Sequence, residues 1–455
     1  MSKMGLVLLV LAAALEIALA VITCRKPTET KVWRRRRLFV RIAEIVIAIV
    51  AILLPFGQKW RLTGVIITLA VLAFITALVI LIRRNKEEGE KRKGGAIRSC
   101  IMSILLIGFA LVPAFIFTGY KGLPVTGAHK VGETSAILID SERTDPFEND
   151  GSSREVPVHF YYPADAAEGE RFPLVIFSHG AFGYYQSNTS TYMELASNGY
   201  VVAALDHPHH AFFTKDTDGK TVIVDMDFMN TALNLSSEIG DEKLFALYTE
   251  WMALRTADMN LAVDGIKAAV TAGKTDSSWS VSAKESEAIL FVLGMTDIEK
   301  IGLMGHSMGG ATAVALGRER NDVSAVIDID GTMLSEYTGV ENGKMTVREE
   351  AYTVPVLEFN NWESYNDNKD YLAQGEIHPN VELLKNASDG FTTAIRGTKH
   401  MDFTDLPLLS PFLGNMLGSG ERDTAETMNT VNSLVLEFFN CYLKGEGVFT
   451  VQDIY

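Results

Sequence analysis

The sequence predicts an α/β fold, a mostly parallel sheet with helices on both faces, preceded by an all-α region of four membrane-spanning helices. Three observations carry that expectation. Four apolar stretches dominate the first 120 residues; beyond Tyr120 short apolar runs alternate with helical stretches; and one such run leads into Gly305-His306-Ser307-Met308-Gly309 before a helix-forming segment.

The apolar stretches run from Met4 to Thr23, Val40 to Phe56, Leu62 to Ile82 and Cys100 to Phe117. Each approaches the roughly 20 residues a helix needs to cross hydrocarbon. The connections differ in charge. The first holds Arg25, Lys26, Lys31 and Arg34 through Arg37, and the third holds Arg83, Arg84, Lys86, Lys91, Arg92, Lys93 and Arg98, whereas the second has only Lys59 and Arg61. Cationic loops stay on the cytoplasmic side, so both termini, and everything after Tyr120, are expected outside the cytoplasm. A cleaved leader is disfavoured by the weakly charged start and the lack of an A-x-A site. Glu16 and Glu44 lie within the first two spans, where an ionisable side chain is expensive and can mark an ion or proton path; for two isolated carboxyls the simpler expectation is a protonated or interface-facing group.

The remainder, residues 121–455, is expected to be one domain carrying a lid-like insertion over about 207–298. Ser135–Ile139, Val156–Tyr162, Phe172–Phe177, Tyr200–Leu205, Ile301–Met304, Ser324–Ile329, Val354–Phe359 and Phe391–Arg396 read as strands, and Thr191–Ser197, Glu242–Ala272 and Thr424–Tyr442 as helices. Such alternation argues for parallel strands joined by helical crossovers. The chain carries a formal charge of −15 although its first part is basic, so this domain is strongly acidic, which argues against nucleic acid as a partner. Cys24, Cys100 and Cys441 lie far apart with no C-x-x-C pair, so neither a disulfide framework nor a zinc site is expected.

Residues 305–309 satisfy G-x-S-x-G in the strand–turn–helix context that exposes a nucleophilic serine. Ser307 would sit on the turn, and Gly305 and Gly309, lacking Cβ atoms, let the backbones cross there. A serine hydroxyl needs a base, and the base a carboxylate. In α/β-hydrolases the order is serine, acid, histidine. Of nine histidines only His378 and His400 follow Ser307. His400 stands just past a strand and is preferred; His378 lies beside Pro379 in a polar stretch. For the acid, Asp328 and Asp330 share the same parity on one strand, so alternation does not separate them. Asp330 is preferred because a turn begins at Gly331, and Asp402 is too near His400 in sequence. The amide of Met308, after the nucleophile, and that of Ala181, in the loop His179-Gly180-Ala181, are the expected oxyanion donors, with Gly180 allowing close approach.

Three further stretches invite chemistry. Asp206-His207-Pro208-His209-His210 resembles a metal-ligand cluster, but its spacing is broken by Pro208 and a rim loop is the simpler expectation; no metal and no organic cofactor are implied. Phe359-Asn360-Asn361-Trp362-Glu363 either walls a cleft or forms a surface turn. Phe213, Met226, Phe228, Met229, Phe245, Tyr248 and Trp251 suit a lid or acyl pocket, or ordinary core.

From about Val131 to Phe439 the chain resembles the platelet-activating factor acetylhydrolase branch of the α/β-hydrolases, and more loosely the dienelactone hydrolases and cutinase-like polyester hydrolases. Phe-Ser-His-Gly at 177–180, Gly-His-Ser-Met-Gly-Gly at 305–310, Asp-Gly-Thr-Met at 330–333 and Gly-Thr-Lys-His with Asp-Phe-Thr at 397–404 carry the likeness. The resemblance implies Ser307 as nucleophile, Asp330 as acid, His400 as base and the Ala181 and Met308 amides as oxyanion donors. It also implies an ester substrate, short-acyl or lipid-derived. The four-span amino terminus is a departure from the secreted members of that family. The expected function is a membrane-anchored serine esterase. Acyl transfer or polyester hydrolysis on the same residues is the alternative within catalysis, and a non-catalytic acyl-ligand sensor the alternative outside it.

Overall fold

Long runs of Leu, Ala, Val and Ile, uninterrupted by proline, satisfy their backbone groups as helices at Lys3–Arg25, Thr30–Leu53, Thr63–Ile82 and Lys93–Ala110. Pro113 ends the fourth run early, and a short helix, Val112–Ile116, follows. The computed structural model describes residues 3–53, 59–120, 122–235, 239–374 and 377–455. Its described residues divide into two units. The first comprises the helices up to Tyr120 together with Pro407–Met416, and the second the rest of the chain. Residues 54–56 of the expected second span lie outside the described residues.

Among the described residues, three helices of the first unit are long and apolar enough to cross a membrane, Gly5–Arg25, Trp60–Ile82 and Lys93–Ala110. The second helix starts ten residues before the expected span, at Thr30 rather than Val40. It thereby takes in Arg34 through Arg37 and Arg41, most of which the sequence reading placed in a loop. This corrects the expectation for the two acids, which are not isolated. Arg37 donates to Glu16 at 3.2 Å, and Arg41 Nη1 lies 3.0 Å from Glu16 and from Glu44. Both guanidinium groups also donate to Ser103 Oγ. All five side chains are buried. Leaving one of these charges unpaired would cost about 3–5 kcal/mol, so their pairing is what permits polar groups inside an otherwise apolar bundle. The same unit holds Thr118, whose N–H donates to Leu409 at 2.8 Å.

The second unit is built on a nine-stranded sheet. In chain order its strands are β1 (Val131–Thr144), β2 (Ser153–Pro163), β3 (Phe172–Ser178), β4 (Val201–Leu205), β5 (Trp279–Ser280), β6 (Thr296–His306), β7 (Val323–Ile329), β8 (Val356–Asn361) and β9 (Gly390–Ile395). Across the sheet they run β9-β8-β7-β6-β3-β4-β2-β1-β5. From β9 to β4 neighbours are parallel, and β2, β1 and β5 extend the edge antiparallel.

The parallel strands read as continuous apolar runs because both faces are covered. Successive side chains alternate between faces. Leu174, Ile176, Leu303 and Val326 pack on one side with Met259, Val263 and Ile266 of the helix Asp241–Ala272. Val175, Phe177, Met304 and Ile327 pack on the other with Val431, Val435 and Phe438 of the helix Thr424–Phe439. Each such burial stabilises by about 1.5–3 kcal/mol, so both layers contribute to holding the central strands in place. The interval 207–298 is not one lid. The carboxyl-terminal half of its long helix belongs to the core, with Met259, Ala262, Val263 and Ile266 fully buried. Residues 236–238 within it lie outside the described residues.

Candidate active site

The crossover from β6 into the helix Met308–Glu319 sets Ser307 at φ 57° and ψ −128°, a conformation that costs on the order of 1–3 kcal/mol for a residue bearing a Cβ. The surroundings hold it there. Ser307 N–H donates to Ile329 O at 2.8 Å, and its own carbonyl accepts from Gly310 and Ala311. A Cβ on Gly305 would fall 2.2 Å from the Gly309 backbone, and one on Gly309 would fall 1.9 Å from the Ser178 carbonyl oxygen. Both glycines are therefore required by close approach. The result is a serine aimed out of the sheet's carboxyl end, partly exposed, while Met304 beneath it is wholly buried.

Asp330 follows the last residue of β7 with φ 58°. That left-handed step separates two acids that strand parity could not. Asp328, still in the strand, turns under the helix and accepts the Gly331 N–H at 3.0 Å. Asp330 leaves the sheet and meets His400, with its Oδ2 2.6 Å from Nδ1. Asn361, at the end of β8, grips the same carboxylate through its backbone N–H at 2.6 Å and its side-chain amide at 2.8 Å. An ionised carboxylate accepts only, so the imidazole proton sits on Nδ1 and Nε2 keeps its lone pair.

Electrostatics follow from this geometry. Burial alone would raise the Asp330 carboxyl, but the bonds to His400 and Asn361 bring it below the usual range. Burial alone would lower His400, but the hydrogen bond and charge of Asp330 raise it above its ordinary value. Asp328 goes the other way. Burial, Glu358 and Asp330 push it well above the carboxylate range, which favours its protonated form.

His400 opens a short turn, His400–Phe403, after β9. Asp402 organises that turn by accepting from the Lys399 and Gly420 N–H groups at 2.9 and 2.6 Å. His306 steadies it from the other side, with Nε2 3.2 Å from the His400 carbonyl oxygen and the two rings 4.6 Å apart. Burial and the adjacent His400 charge lower His306 to about 3, so it is a neutral donor. Among the described residues no hydrogen bond joins the Ser307 hydroxyl to the His400 imidazole. Such contacts are commonly long before substrate binds.

The loop after β3 lies against the serine, since a Cβ on Gly180 would be 3.1 Å from Ser307 Cβ and 3.0 Å from His306 Nδ1. The next amide, Ala181 N–H, has no partner among the described residues. Met308 N–H is in the first helical turn and has no intrahelical acceptor. Beside them is an apolar wall. Phe228, Trp251 and Met252 form a buried cluster with Met308 and Ala311, with Ala181, Phe182, Met229 and Tyr248 packed on it. Phe213 and Met226 are exposed instead.

Other candidates are spent elsewhere. His207 is fully buried, its Nε2 2.8 Å from Ser178 Oγ and its Nδ1 3.1 Å from Asp258. His210 stacks on Phe228, and His209 on Phe147. His378 precedes the helix Pro379–Lys385 and stacks on Tyr371. Two contributors went unseen in the sequence. In the sequence Asn361 stands in a stretch that suits a cleft wall or a surface turn, and His306 occupies the variable position of the motif. Their position next to the strand ends was the available signal.

A sheet with this strand order, bearing a serine at a strained strand-to-helix turn and an Asp–His pair on the following loops, defines the α/β-hydrolase fold. It is similar to the ferulic acid esterase from Streptomyces cinnamoneus, with a TM-score of 0.51, 20% identity, and coverage of 72% of this chain and 93% of that one. Residues 124–450 match the family described as platelet-activating factor acetylhydrolase, isoform II, and the chain belongs to that family. It is 24% identical to a platelet-activating factor acetylhydrolase of Cavia porcellus over 64% of this chain and 62% of that one. The corresponding protein of Gallus gallus is 22% identical over 63% and 65%. The matched region thus spans a little under two thirds of these relatives' length.

Proposed function

We propose that the protein is a membrane-anchored serine hydrolase that cleaves carboxylic esters, with Ser307 as nucleophile, His400 as general base and Asp330 as its orienting acid. The observation that carries this reading is the 2.6 Å Asp330–His400 bond on loops beside the strained serine. His400 Nε2 takes the Ser307 proton as Oγ attacks the ester carbonyl. The oxyanion of the tetrahedral intermediate is received by the Ala181 and Met308 amides. Collapse expels the alcohol, protonated by His400, and water then releases the acid by the same steps in reverse roles. Ala181 and Met308 also border the apolar cluster of Phe228 and Trp251, which favours a short acyl or lipid-derived ester. Membership of the acetylhydrolase family supports the same substrate class. The apolar helices support anchoring, and the cations at the facing ends of the first two helices together with the cationic third connection support a catalytic domain outside the cytoplasm.

The test is p-nitrophenyl acetate hydrolysis by the full chain and its Ser307→Ala variant. Loss of turnover and of fluorophosphonate labelling in a folded variant is expected; undiminished turnover would remove the reading.

A further inference from the structure

The loop offering the Ala181 amide is short, follows a strand and contains Gly180, so the plane of the Gly180–Ala181 peptide depends on what holds its carbonyl. A trans peptide is planar, and its C=O and N–H point in opposite directions. Whatever fixes the Gly180 carbonyl therefore fixes the direction of the Ala181 N–H. That carbonyl is held by three donors. Gly183 N–H lies at 3.1 Å, His179 Nδ1 at 2.6 Å and Arg255 Nη2 at 3.3 Å. Arg255 also donates through Nη1 to the preceding carbonyl, of His179, at 2.5 Å. One guanidinium thus spans two successive carbonyls on the face of the loop opposite the amide.

The surroundings commit Arg255 to this task. It is wholly buried within the long helix Asp241–Ala272, and its Nε donates to His210 Nδ1 at 3.3 Å. Asp258, one turn on, is spent on Arg154, Arg143 and His207 and makes no hydrogen bond to Arg255 among the described residues. A buried cation is expensive unless hydrogen-bonded, and its bonds here go mainly to main-chain oxygens. His179 is neutral, lowered well below its ordinary pKa by burial and the Arg255 charge. Its Nε2 accepts the His207 N–H at 3.2 Å, which leaves the proton on Nδ1, facing Gly180.

We infer that Arg255 is a positioning residue for the oxyanion hole, pinning the His179 and Gly180 carbonyls so that the Ala181 N–H faces the reacting carbonyl. This rests on the esterase reading above. A purely structural arginine would affect folding and leave the chemical step of the folded fraction alone. A positioning arginine lowers kcat, leaves KM nearly unchanged, and weakens tetrahedral adducts in proportion.

The test uses the full chain with Arg255→Met, Arg255→Lys and, as a control in the same buried network, Ser178→Ala. We expect Arg255→Met to lower kcat roughly 10²-fold, the loss seen when an oxyanion donor is removed, with KM within about twofold. Affinity for a trifluoromethyl ketone, which forms an oxyanion adduct on serine, should fall by the same factor. The midpoint of the pH–rate profile should hold, because His400 is untouched. Ser178→Ala should lose melting temperature but keep kcat within about threefold. Should Arg255→Met fail to fold, Arg255→Lys decides, since one ammonium cannot span both carbonyls with fork geometry; a folded Lys variant with unaltered kcat overturns the inference. So does a folded Met variant with unaltered kcat or ketone affinity, or a Ser178→Ala loss of kcat equal to that of Arg255→Met. An active Ser307→Ala protein would instead defeat the esterase reading itself, which separates the two failures.

Discussion

Among its described residues the second unit holds two sets of Ser, His and Asp, one at a strained turn at the sheet's carboxyl end and one wholly buried. In the first, Asp330 Oδ2 lies 2.6 Å from His400 Nδ1, and Ser307 occupies the strained turn after β6. In the second, Ser178 donates to His207 Nε2 at 2.8 Å while His207 Nδ1 lies 3.1 Å from Asp258. Residue types and the His–Asp contact are the same, but only the buried set has a Ser–His hydrogen bond among the described residues, and the environments are opposed. The His400 side chain is 43% exposed, its pKa is raised by Asp330, and Ser307 sits in a strained turn. Ser178, His207 and Asp258 are each 0% exposed. His207 is lowered to about 4 by burial and Arg255, and Ser178 lies in a regular strand. The comparison teaches that the same three side-chain types differ in access, backbone projection and the direction of the pKa shift, and these are what the proposed catalytic role requires. The buried relay has none of these. It is a strut, tying β3 to the helix that carries Arg255.

The contrast can be sharpened by treating the two sets alike. Ser307→Ala should abolish ester turnover, lowering kcat by about 10⁵ or more in the manner of a removed nucleophile, while its melting temperature stays within a few degrees. Asp330→Asn should cost on the order of 10³–10⁴ in kcat, because the amide misorients the imidazole and no longer stabilises its charge. The pH–rate profile adds a sign. Activity requires neutral His400, so the rate rises with pH through its pKa, and the wild-type midpoint should lie above about 6.5. Without Asp330 only the lowering by burial remains, so residual activity in Asp330→Asn should show a midpoint shifted down.

The matching change in the buried set, Asp258→Asn, acts on folding instead. It weakens the pairing of Arg154, which Asp145 alone then shares at 2.9 Å, and should destabilise by about 3–5 kcal/mol, read as a lowered denaturant midpoint. Asp328→Asn should do least, below about threefold in kcat and about 1 kcal/mol in stability, because burial and its acidic neighbours already favour the uncharged form and an amide retains the acceptor for Gly331. A large kcat loss there would mean that the wrong carboxylate has been assigned.

Much of this was legible in the sequence, and the residues show why. Apolar runs such as Phe172–Phe177 and Ile301–Met304 can be little else than central strands once a glycine-rich turn and helix follow. The motif at 305–309 also carried its own geometry. What escaped depends on contacts far apart in the chain. Strand parity treated Asp328 and Asp330 alike, and only the left-handed backbone at Asp330 distinguishes them. Asn361 is 31 residues from the carboxylate it grips. Arg255 looks like a solvent-facing charge on an amphipathic helix, although it is wholly buried. In the first unit, reading Arg34 through Arg37 as a loop hid the helical turn that brings Arg37 and Arg41 to Glu16.

The central claim is that His400, tuned by Asp330, activates Ser307, and the rate of fluorophosphonate labelling at residue 307 measures it without reference to any chosen ester. Followed against pH in the full chain, labelling should rise with a midpoint above the ordinary imidazole value, shift to lower pH in Asp330→Asn, and become very slow and without an imidazole midpoint in His400→Ala. Labelling of His400→Ala at the native rate, or with the native pH profile, would contradict the account.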